Sequence, residues 1–159
     1  MRTAARLGSL SFLSSFASAQ SLRWTVSGTP ADTAGWALAR AGDVDGDGKP
    51  DIVIGEPESG CLGTFFGRTM VVRGIDGVEL DAVCGTDQSG SGYWIGGDID
   101  MDGDGHCDDV VGTPFDNRNG GYEGSFAVYS GATGALLREV LGSEFGEELG
   151  GDIETITDL

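Results

Sequence analysis

The chain has 159 residues, 39% of them apolar, and a formal net charge of −17. That length fits one domain, and the apolar share excludes a wholly disordered chain. The acidic balance argues against a nucleic-acid backbone or an anionic membrane surface as partner, and favours cations.

The chain begins with Arg2 and Arg6, a moderately apolar stretch over 7–16, and Ala17-Ser18-Ala19 ahead of Gln20. A basic start, an apolar middle and a small-residue cleavage site mark residues 1–19 as a secretory signal peptide, the alternative being an ordinary N-terminal arm. A secreted, extracellular or cell-surface location follows, in an oxidising medium. No other stretch approaches the ~20 apolar residues of a membrane span. Residues 22–26 read as a lone outer strand.

From residue 28 onward the chain matches itself at a shift of 57. Asp43, Asp45, Asp47 and Asp51 fall on Asp100, Asp102, Asp104 and Asp108, and Gly55 and Pro57 fall on Gly112 and Pro114. The repeat region, 20–159, divides into units at 28–84 and 85–141 and an incomplete one at 142–159. Each complete unit predicts four strands. Strand one is at 36–41 and 93–97, strand two at 52–54 and 110–111. Strand three is at 69–73 and 125–129, strand four at 78–83 and 135–141. Asp76-Gly77 between apolar runs is a hairpin signal. Four strands per unit, repeated, predict an all-β fold of antiparallel β-propeller blades. With about 2.5 repeats this is a partial propeller, and further blades or self-association are expected, because rings close with roughly 4–8 blades. In the third unit, Phe145-Gly146, Leu149 and Asp152 align with Ser91-Gly92, Ile95 and Asp98. Glu154, Ile156 and Asp158 then replace Asp100, Asp102 and Asp104, which makes a third loop degenerate.

The two aspartate loops carry the chemistry. In D-x-D-x-D-G-x-x-D, four carboxylates and one backbone carbonyl converge. Calcium takes 6–8 oxygen ligands and tolerates flexible geometry, whereas magnesium demands a strict octahedron. The first ligand set is Asp43, Asp45, Asp47, Asp51 and the carbonyl of Lys49. The second is Asp100, Asp102, Asp104, Asp108 and the carbonyl of His106. Two calcium sites are therefore expected. An EF-hand also begins this way but needs a glutamate at position 12; Ile54 and Val111 stand there. The plainer reading is a charged turn that binds nothing, which two loops at one repeat position disfavour.

The stretch "GDVDGDGKPDIVIGEP", with Gly112-Thr113-Pro114 closing the second unit and a literal Phe-Gly at Phe145-Gly146, resembles the FG-GAP repeat of the integrin α-subunit β-propeller. Ala34-Gly35 and Ser91-Gly92 depart from that Phe-Gly. The resemblance implies propeller blades with structural calcium in strand-connecting loops, and a role in extracellular binding or cell adhesion. The partner would be an extracellular protein or a glycan. The alternatives are a calcium-dependent lectin and the non-catalytic propeller part of a larger secreted hydrolase.

The remaining residues point away from an enzyme. His106, the single histidine, has no nucleophile or base beside it. Asp98 and Asp109 read as solvated acids. Trp36 and Trp94 fall in or beside strand one, where hub packing is expected; Tyr122 and the loop 115–121 read as exposed contact elements. In a four-stranded blade, Cys61 (between strands two and three) and Cys84 (ending strand four) share one edge, and Cys107 lies at the other. That favours a Cys61–Cys84 bridge narrowly over three free thiols.

Overall fold

The computed structural model describes residues 22–28, 32–61, 65–85 and 89–156. The signal-peptide stretch lies outside them. The described residues contain eight strands and no helix: β1 (Ala37–Gly42), β2 (Asp51–Glu56), β3 (Arg68–Val72), β4 (Glu79–Cys84), β5 (Trp94–Ile99), β6 (Asp108–Thr113), β7 (Ser125–Tyr129) and β8 (Leu136–Leu141). They form two antiparallel sheets, β1-β2-β3-β4 and β5-β6-β7-β8, each in chain order. All eight strands expected from the repeat are present. The sequence reason is local: β-branched pairs such as Val71-Val72 and Val110-Val111 suit a pleated surface, and glycine turns separate them.

The sheets stack front to back. Val53 and Val71, on one face of the first sheet, pack with Ile95 and Val111 of the second. By the repeat, Ile95 and Val111 correspond to Leu38 and Ile54, which lie on the opposite face of the first sheet. Successive blades thus present unlike faces to each other, as stacking around a propeller axis requires. Two glycines permit the close approach. A Cβ on Gly55 would strike the carbonyl oxygen of Gly92, and one on Gly112 would strike that of Gly150.

Two expectations change here. Residues 22–28 form no strand. Instead Trp24 and Val26 pack on Ile54, Met70 and Val72, covering the outer face of the first sheet, and Trp24 Nε1 donates to the carbonyl of Gly74 at 3.1 Å. A segment can satisfy burial by lying across a sheet without joining its ladder.

The third unit also takes another register. The bridge between Gly67 and Ser91 recurs between Gly124 and Leu149. The Gly55–Gly92 approach recurs as Gly112–Gly150. Both place the third unit 58 residues beyond the second, one more than the repeat length. Ile156 then stands where Asp98 does, not in a loop, and Asp158 lies outside the described residues. The glycine pairs Gly96-Gly97 and Gly150-Gly151 match at more than one offset, so Phe145-Gly146 does not fix the register.

Candidate metal centre

Each aspartate loop joins an inner pair of strands, β1 to β2 and β5 to β6. Gly46, Gly48, Gly103 and Gly105 all have φ between 76° and 91°, a conformation that costs glycine little and other residues more. Carboxylates then cap the loop's own amides. Gly48 N donates to Asp43 at 2.8 Å and Lys49 N to Asp47 at 2.8 Å. Gly105 N donates to Asp100 at 3.0 Å and His106 N to Asp104 at 2.8 Å.

The last aspartate anchors the loop. Asp51 and Asp108 are each 0% exposed. Asp51 accepts from Val44 N at 2.9 Å and Gly74 N at 3.0 Å; Asp108 accepts from Met101 N at 2.7 Å and Gly131 N at 3.1 Å. Each therefore ties its loop to the turn between the two outer strands of its blade.

The geometry gathers Asp43, Asp45 and Asp51 in the first loop and Asp100, Asp102 and Asp108 in the second, with carboxylate oxygens within 4.8 Å of one another. Asp47 and Asp104 are outside these groups, engaged in capping Lys49 N and His106 N. Such a cluster of like charges suits a divalent cation. The donor set fits calcium, being all oxygen, and Asp43 Oδ1 is buried with no hydrogen-bond partner. Asp43, Asp45 and Asp51 would hold one ion, and Asp100, Asp102 and Asp108 the other.

The loops differ in one neighbour that the sequence pattern does not reveal. The Arg73 guanidinium pairs with Asp45 at 2.5 Å and with Asp76 at 3.3 Å. The equivalent position in the second unit is Ser130. The first loop thus already has a positive charge on one candidate ligand, and the second has none from that position.

Asp109 is not a solvated acid. It is 6% exposed and occupies the position of Ile52, on the face of β6 toward the first blade. Burial, and then the charges of Asp108 and Asp81, push its carboxyl up to about 7. Asp98 pairs with Arg40 at 3.3 Å. Cys61 is joined to Cys84, as the shared edge suggests, and Cys107 is free. Trp36 and Trp94 are 55% and 41% exposed, against the hub packing expected; among the described residues no strand covers that edge of β1 and β5. Trp36 does meet Tyr93 at 5.0 Å between ring centroids, and Tyr93 meets Phe115 at 5.1 Å. Tyr122 is exposed as expected, but the loop before it is pinned by Asp116 and Arg118.

Two four-stranded antiparallel sheets, stacked front to back and repeated at a fixed period, are blades of the β-propeller class. Residues 34–71, from the turn before β1 through most of β3, match the family model of the FG-GAP repeat, so the chain contains an FG-GAP repeat. No curated protein matches it.

Proposed function

We propose that this chain is a secreted, calcium-binding β-propeller module for extracellular binding or adhesion, non-catalytic, with calcium holding the loops between inner strands. The observation that carries the reading is the duplicated loop: three converging carboxylates, one wholly buried, at the same place in both units. Calcium there neutralises charge that the fold concentrates. It also braces the inner hairpin of each blade against the outer turn through Asp51 and Asp108. The partner is an extracellular protein or a glycan. No helix among the described residues is long and apolar enough to cross a membrane.

Calorimetric titration with calcium tests the site reading. Two sites are expected, Asp45→Ala removing one and Asp102→Ala the other. Extracellular sites often bind near 10⁻⁴ M, so at millimolar calcium each site adds about 1.4 kcal/mol of stability. Zero stoichiometry, or a melting temperature indifferent to chelator, refutes it.

A further inference from the structure

Between the two blades, near the outer strands, lies a cavity of about 210 Å³. Its walls are the face of the second sheet turned toward the first, with Ala127 and Tyr129, and Cys84 at the end of the first blade with Ser91 of the connection that follows it. We infer that this cavity binds a neutral monosaccharide unit, free or at the end of a glycan. The inference deepens the binding-module reading above and needs only that reading's premise of a glycan partner, not its calcium.

The repeat supplies an internal control. Fifty-seven residues earlier, Arg68, Met70 and Glu56 stand where Ser125, Ala127 and Thr113 line the cavity. In the first blade Arg68 fills that space, bonded to Glu56 at 3.2 Å and Glu79 at 2.6 Å, and Met70 packs with Ile54 and Val72. The fold therefore accommodates large side chains at these positions. The second blade has small ones, and the space between blades opens.

Its ions are rearranged to match. Asp116, 4% exposed, accepts from Arg118 Nε at 2.8 Å and from Ser125 Oγ at 2.7 Å. Arg118 Nη2 reaches Glu139 at 2.6 Å. Burial alone would raise the Asp116 carboxyl, but hydrogen bonds from Arg118 and Ser125 outweigh it and hold the group below its usual value. The charges are thus fixed before any ligand arrives, and pre-organisation limits the ordering cost of binding. Among the described residues these bonds run through Nε and Nη2 of Arg118 and none runs through Nη1.

The chemistry selects the ligand class. Fixed carboxylates accept from hydroxyls, and a guanidinium and serine and threonine hydroxyls donate or exchange with them. Val111 and Leu136 give apolar wall for C–H surface. A mixture of few placed polar groups and apolar wall is how small-molecule sites orient a ligand. Two carboxylates against one guanidinium leave the cavity net negative, which disfavours uronic acids and other anions.

The test follows Val111, Ala127, Tyr129 and Leu136 by NMR in the whole chain while neutral hexoses, pentoses and N-acetylhexosamines are added singly. A glycan array run in parallel separates free sugar from a terminal residue. Each experiment is done with calcium and with chelator, so that failure of the cation reading leaves the sugar result legible. At least one sugar should shift these signals saturably, by either arm. Ala127→Met, the first blade's own residue, should abolish the shift by filling the cavity. Tyr129→Phe, which keeps the packing, should weaken binding several-fold. No saturable shift with any sugar well above a millimolar dissociation constant, and no array signal, overturns the inference. So does undiminished binding in either folded variant.

Discussion

The Cys61–Cys84 bridge closes a stretch of 23 residues and joins the β2–β3 loop to the end of β4. Replacing both cysteines by serine frees that loop in the unfolded chain. The chain-entropy relation for a closure of this length corresponds to about 11 cal/mol/K, or about 3.4 kcal/mol at 25 °C. For a domain of this size each kcal/mol shifts the melting temperature by about 2–4 °C, so a fall of about 7–14 °C is expected. Thermal unfolding by circular dichroism under non-reducing conditions measures it. Dithiothreitol should bring the parent down to the double variant and leave the variant unmoved. Cys107→Ser should change little, because that thiol is unpaired. A double variant melting within about 2 °C of the parent, or a Cys107→Ser loss of equal size, would refute the topological argument that places the bridge at one edge of a blade.

Arg73→Ser copies the second unit's Ser130 into the first and removes the guanidinium from Asp45; calcium affinity of the first loop should rise several-fold toward that of the second, and unchanged or weaker binding by calorimetry contradicts the competition. Asp109 has a folded-state value of about 7 against an ordinary 3.8, so the folded chain holds that proton more tightly. Its contribution to stability is full below the ordinary value and is lost as pH rises through about 7. In chelator, Asp109→Asn should be more stable than the parent at pH 8 and lack that slope in urea melts; equal slopes count against it. Gly55→Ala should destabilise by about 1–3 kcal/mol through overpacking, since the obstacle is the Gly92 backbone carbonyl; denaturant midpoints equal to the parent's would show that the blades can move apart.

The repeat, the eight strands and the two loops are legible in the residue order, because each depends on residues close along the chain. The alternation of apolar residues, the glycines that allow positive φ, and the aspartates at fixed spacing act within a few residues of one another. Asp43, Asp45 and Asp51 converge through loop geometry that those glycines already imply. Features that depend on distant residues emerge from the folded arrangement alone. Arg73 reaches Asp45 across 28 positions, and Asp109 is buried because a second sheet lies on it. The cavity with Asp116, Arg118 and Glu139 exists because small side chains of one blade face the end of another. The third unit's register likewise rests on backbone pairing at Gly124 and Leu149, since glycine-rich segments align with themselves at more than one offset and only contact with the preceding blade selects among them.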